Sequence, residues 1–118
     1  MTHHKLTGNK GELIAEAYLI EKNYTIIAKN WRHKHLEIDI IASINKRLHF
    51  VEVKTRTNTK FGLPEESISQ AKMNHLKKAA EAYLYQNPEW LKIQFDVIAI
   101  TLKKNEPEEI FMIEDVFF

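Results

Sequence analysis

Three side chains suited to one piece of chemistry stand in two short apolar runs. Asp39 lies within Leu36-Glu37-Ile38-Asp39-Ile40-Ile41-Ala42, and Glu52 and Lys54 lie within Leu48-His49-Phe50-Val51-Glu52-Val53-Lys54-Thr55. Both runs read as β-strands, and Ile44-Asn45-Lys46-Arg47 between them reads as a hairpin turn. A tight turn on Asn45-Lys46 pairs Ile44 with Arg47, and the same register sets Asp39 opposite Glu52 and Glu37 opposite Lys54. Side chains two apart on a strand share a face, so these four groups are expected to point the same way. Leu36, Ile38, Ile40, Val51 and Val53 are then expected on the other, core face.

Two opposed carboxylates repel each other, and between apolar strands one would hold its proton unless a cation sat between them. A hard divalent ion resolves the conflict. Mg²⁺ or Mn²⁺ accepts one or two carboxylates and leaves room for phosphate oxygens, and such an ion supports phosphodiester hydrolysis. Lys54 would hold the attacking water or offset charge on the phosphate. The same residues also suit an exposed sheet face with cross-strand ion pairs, such as Glu37 with Lys54. An Asp followed by Glu-x-Lys is a weak pattern on its own.

The elements that must position these groups follow from periodicity and punctuation. Residues 9–21 carry Leu13, Ile14, Ala17 and Ile20 at helical spacing, and Asn23 ends the run. Residues 24–28 read as a strand, followed by the strands 36–42 and 48–55 and a polar loop. Pro64 suits the first turn of a second helix, with Glu65 and Glu66 favourable near its N-terminus. That helix carries Ile68, Ala71, Leu76, Ala79, Ala80, Tyr83 and Leu84 on one face, and Asn87-Pro88 stops it. Strands are expected at 93–102 and 109–113. The order α-β-β-β-α-β-β predicts an α/β fold, a sheet with helices packed on it and at least one antiparallel hairpin.

The 118 residues suit a single domain, 1–118, without repeats. The absence of cysteine excludes disulfides and thiolate metal sites. No apolar segment reads as a signal peptide or membrane span, so the expectation is a soluble cytoplasmic protein with no membrane partner. Net charge is only +1, yet residues 1–105 hold 17 basic against 11 acidic side chains, a surplus of six. A basic body with clustered internal acids suits a phosphodiesterase, although mixed surface charge suits many proteins.

Five stretches occur in an order that carries a family resemblance: Gly8-Asn9-Lys10-Gly11-Glu12, Glu37-Ile38-Asp39-Ile40-Ile41-Ala42, Phe50-Val51-Glu52-Val53-Lys54-Thr55-Arg56, Phe61-Gly62-Leu63-Pro64 and Phe95-Asp96-Val97-Ile98. Together they resemble the YraN-like family of uncharacterised bacterial proteins, over nearly the whole chain. Members look like PD-(D/E)XK nucleases and are similar to archaeal Holliday-junction resolvases. The resemblance implies a restriction endonuclease-like three-layer sandwich, a mixed central sheet flanked by helices, with the active site on the hairpin. It implies Asp39 and Glu52 as metal ligands and Lys54 as the catalytic lysine. It also matches Glu12 to the acid that resolvase-like nucleases bring to the same site; an exposed helical Glu is the other reading. Leu36 stands where the family usually has Gly. Gln94 stands where it usually has Arg, which puts in doubt any phosphate contact of that arginine.

Arg56, Lys60 and Lys72 are candidates for phosphate contact, with solvated surface lysine and arginine as the plainer reading. His33 and His35 read as surface residues for want of a third soft ligand. Trp31, Trp90, Tyr83 and Phe117-Phe118 read as packing or partner surface. The functional expectation is a Mg²⁺- or Mn²⁺-dependent endonuclease acting on DNA, with branched, junction or single-stranded DNA as candidate substrates. The alternative is a non-catalytic nucleic-acid-binding or interaction module that keeps the fold. Homodimerisation stays open.

Overall fold

The computed structural model describes residues 3–57 and 69–116, and side chains from residue 9 onward. Its elements are α1 (His3–Glu21), β1 (Thr25–His33), β2 (Leu36–Ile44), β3 (Arg47–Arg56), α2 (Gln70–Gln86), β4 (Ile93–Thr101) and β5 (Glu109–Ile113), in the predicted order. The five strands form one sheet in the order β1-β2-β3-β4-β5. All neighbours are antiparallel except β3 and β4, which run parallel. A parallel pair needs a crossover, and α2 lies within it.

Alternation along the strands sends side chains to two cores, one under each helix. Leu48, Phe50 and Val97 join Met73, Leu76, Ala79, Ala80 and Tyr83 of α2. Val51, Ile98 and Ile100 join Ala15 and Leu19 of α1. The result is a three-layer α/β sandwich with a mixed central sheet. Among the described residues no helix is long and apolar enough to cross a membrane.

Two helix expectations need correction. Of Leu13, Ile14, Ala17 and Ile20 only Ile14 packs against a core: Leu13 and Ile20 are 61% and 54% exposed, and Ala17 is exposed too. The buried stripe of α1 is Gly11, Ala15 and Leu19, four apart, with the helix starting at His3 rather than at residue 9. Gly11 and Ala15 are small where the helix lies close on the sheet, and Leu19 fills the core farther along. A Cβ on Gly11 would overlap Thr55 Oγ1 and come within 2.9 Å of Thr55 Cβ on β3. Gly11→Ala should therefore force α1 away from β3. The expected loss in urea melts is about 1–3 kcal/mol, the usual range for overpacking. An unchanged midpoint would mean that this close approach is not needed.

The second helix does not begin at Pro64. Ser69 is extended (φ −105°, ψ 151°) and caps α2 by accepting the Lys72 N–H at 3.1 Å. Residues 64–66, read as the helix start, lie outside the described residues, as does Lys60. Trp31 and Tyr83 pack edge to face in the α2-side core, as expected of packing aromatics.

The hairpin follows the predicted register at five pairs, from Ile44 with Arg47 to Ile40 with Val51. Its turn residues Asn45 and Lys46 both have positive φ (52° and 63°), the backbone of a two-residue turn matched to strand twist. The ladder does not continue to Asp39 and Glu52. Nor do Ile38 and Ile40 share a face: Ile38 lies in the α2-side core and Ile40 in the α1-side core. Alternation breaks at Asp39, opposite Asn30 of β1, itself left-handed at φ 50°. Beyond this point each inner strand is held by its outer neighbour, β2 by β1 and β3 by β4.

Candidate active site

Where the hairpin opens, the backbone of β3 has lost a carbonyl partner from β2. Asp39 replaces it: its Oδ2 accepts the Val53 N–H at 2.8 Å. This bond fixes the carboxylate beside Glu52, which follows Val51, the last paired residue. Glu37, Asp39 and Glu52 line one cavity together with Lys72 of α2. Lys72 Nζ lies 3.7 Å from Glu52 Oε1. Lys54, two residues along the same face of β3, lies beside the Lys72 side chain, so two amines crowd one corner of the site.

The electrostatics follow from this crowding. Burial, and then the charge of Asp39, push Glu52 up to about 7; Lys72 and Lys54 oppose the shift. Asp39 is also raised, chiefly by burial, against the Val53 N–H that favours its charged form. Lys54 is lowered, first by the Lys72 amine beside it, which favours a neutral Lys54 that could accept from it, then by burial and the charge of Lys72. Its amine thus gives up a proton more readily than a solvated lysine. Glu12 of α1 is raised by burial and by the charges of Asp39 and Glu37, against the nearby Asn30 amide and Lys29. It opens onto a neighbouring depression with Asn9, Leu13, Lys29 and Asn30. The close seat of α1 thus brings Glu12 within electrostatic reach of Asp39 but into its own recess.

Of the other sequence candidates, Lys72 is exposed, yet it lines the cavity and reaches Glu52. Arg56 continues the Glu52–Lys54 face, and its Nε donates to Thr101 Oγ1 of β4 at 3.2 Å. His33 stacks on Trp31, whereas His35 faces His75 of α2 across the cavity. Strand alternation alone could not show His75, because it comes from another element. Asp96, noted only within a family motif, is fully buried with His49. His49 Nδ1 donates to Asp96 Oδ2 at 2.6 Å. Gln94 Nε2 and the Asp115 N–H both donate to Asp96 Oδ1 at 2.9 Å. Gln94 thus has a structural partner where a family arginine is expected.

A family model described as "Uncharacterised protein family UPF0102" matches residues 11–100. The chain belongs to this family. It is the family that the sequence motifs resemble. A UPF0102 protein of Caldicellulosiruptor bescii is 44% identical, covering 96% of this chain and 98% of its own. One of Chloroherpeton thalassium is 42% identical over 93% and 92%, and one of Phocaeicola vulgatus is 38% identical over 100% and 97%. The UPF0102 match takes in Glu12, Asp39, Glu52, Lys54, Lys72 and Asp96, so both the cavity and the buried pair lie inside the region that defines the family.

The donor set can be weighed for an ion. Among the described residues no group of three or more His, Asp or Glu side chains converges as a metal-binding cluster. Two adjacent carboxylates remain, and both are disfavoured as anions in the ion-free protein. An all-oxygen pair of this kind fits a hard cation that keeps its remaining water ligands.

A pH test follows from the same geometry. Glu52 titrates at about 7 in the fold against 4.5 ordinarily. A raised carboxyl favours the fold while protonated. Its contribution is therefore complete below about 4.5 and lost as pH rises through about 7. In chelator, the melting temperature should fall between pH 5 and 8, by the equivalent of up to about 3 kcal/mol. Asp39→Asn, which removes a like charge, should raise the melting temperature at pH 8 and flatten this slope. Stability that climbs with pH across the window would contradict the carboxylate pair.

Proposed function

We propose that the chain is a divalent-cation-dependent nuclease that hydrolyses phosphodiester bonds in DNA. The observation that carries this reading is the pair Asp39 and Glu52, largely buried, adjacent, and flanked by Lys54 and Lys72 where the hairpin opens. A sheet built only for stability gains nothing from two crowded carboxylates. Asp39 and Glu52 are the residues that would hold Mg²⁺ or Mn²⁺, which when bound supplies Lewis acidity at the phosphate.

The protein's own groups divide the remaining work. The Val53 N–H locks the Asp39 carboxylate in place. Lys72 offsets the charge of Glu52. Lys54, with its proton loosened by Lys72, orients the attacking water and meets the negative charge that builds on the phosphate. Glu12 adds a further acid at the margin, and Arg56 extends the basic face for the DNA backbone. The similarity of the motifs to PD-(D/E)XK nucleases supports the same assignment. The deciding experiment is incubation of branched, nicked, single-stranded and duplex DNAs with and without Mn²⁺. Mn²⁺-dependent cutting by the wild type is expected. Binding without cutting on every substrate would favour a non-catalytic module.

A further inference from the structure

The cavity that contains the carboxylates extends beyond them. From Lys72 it continues one turn along α2 to His75 and Leu76, and it reaches His35 in the turn between β1 and β2. Its volume is about 430 Å³, in the range of small-ligand sites. The two imidazoles stand 6.2 Å apart at 85°, an edge-to-face arrangement that uses the edge of one ring and leaves flat aromatic surface at the rim. Both histidines are exposed although they line a cavity, and neither is needed by either core. The lining therefore divides in chemistry: charged groups in Glu37, Asp39, Glu52 and Lys72, aromatic and apolar ones in His35, His75 and Leu76.

We propose that this cavity seats one unpaired nucleotide, with its phosphate toward Asp39 and Glu52 and its base against His35 and His75. The preferred substrate is then DNA with an unpaired stretch at the scissile bond rather than continuous duplex. The identity of the ligand rests on the nuclease reading; the shape and lining of the pocket do not. The space suits one nucleotide and not a base pair, and a base inside a duplex stack cannot enter a side pocket without leaving its partner. Flat aromatic groups bind unpaired bases by stacking, with little dependence on sequence. Lys72 and His75, three apart on α2, would follow the strand from phosphate to base.

The test uses the full chain in Ca²⁺ with a labelled single strand carrying one 2-aminopurine, and a blunt duplex of equal length. Wild type should bind the single strand about tenfold or more tightly than the duplex and quench the 2-aminopurine, the effect of one stacked base. His35→Ala with His75→Ala should lose about tenfold in single-strand affinity together with the quench, while duplex affinity stays within about twofold. His35→Ala with His75→Phe should recover much of both, because phenylalanine restores a stacking face but no nitrogen. Equal binding of the two DNAs by wild type, equal weakening of both by the alanines, or no recovery by phenylalanine would overturn the proposal. Mn²⁺ cleavage of the same DNAs separates the two ideas. Cutting without a histidine-dependent preference removes the pocket and keeps the nuclease; the preference without cutting does the reverse.

Discussion

Lys54→Ala is expected to slow DNA cleavage about a hundredfold or more while leaving the fold and DNA binding nearly intact. The side chain leaves the strand on the α2 side of the sheet but belongs to neither core, so its loss opens no cavity. Lys72 remains in place beside Glu52 and keeps one cation at the site, so binding should fall only slightly. What disappears is the amine whose proton is loosened by its neighbour and which is assigned to the water and to the charge formed at phosphorus. Glu52→Ala provides the contrast. It removes one of two ligands and should abolish both cleavage and the rise in melting temperature caused by Mn²⁺, which follows from ion binding to the folded state. The two variants should thus agree in lost activity and differ in ion-dependent stability. If wild type and Lys54→Ala cut every DNA at the same background rate, the nuclease reading fails and a binding module accounts better for the fold.

Asp96→Ala is expected to destabilise the protein by about 3–5 kcal/mol, a large share of the total for a small domain. Asp96 is fully buried and accepts from His49, Gln94 and the backbone of Asp115. Removing it strands the buried His49 donor, the costly way to break such a network, and frees the half-buried Gln94 amide and the Asp115 N–H. The effect should also be local. Asp115 sits at φ 56°, and its N–H is held by Asp96, while the next residue, Val116, keeps its bond to Phe95 O at 2.7 Å. Hydrogen exchange should therefore accelerate at Asp115 more than at Val116. Urea denaturation gives the magnitude, and a loss below about 1 kcal/mol would show that the network is not a structural anchor. Tyr24 reports on the same site. It packs edge to face on His49 at 5.1 Å, and burial followed by the charge of Asp96 pushes its hydroxyl up to about 12. In Asp96→Ala that tyrosine should titrate closer to 10.

The two sets of expectations meet different fates for one reason. Hairpin register is a local property. Asn45 and Lys46 adopt the turn that their position requires, and the pairing of Ile44 with Arg47 carries without slip to Ile40 with Val51. Element order was legible for the same reason, because apolar runs and their punctuation lie within a few residues of each other. The helix faces were less legible. Leu13 and Ile20 are the apolar choice for burial, yet Gly11, Ala15 and Leu19 face the sheet, and at Gly11 the close approach to Thr55 leaves no room for a side chain.

By itself, then, the sequence determined the order of elements, the hairpin register and the presence of Asp39, Glu52 and Lys54 on adjacent strands, all consequences of spacing along a single chain. Tertiary structure alone decided how those residues meet. A perfect ladder would have set Asp39 directly across from Glu52; instead the strands part at Ile40, and Asp39 turns its carboxylate to the Val53 N–H. It also decided that Lys72 enters the site, that His35 faces His75, and that Asp96 ties His49 to Asp115. These contacts join residues from different elements, up to 47 positions apart. Their partners are chosen by how the layers pack, and no local period along the chain encodes that choice.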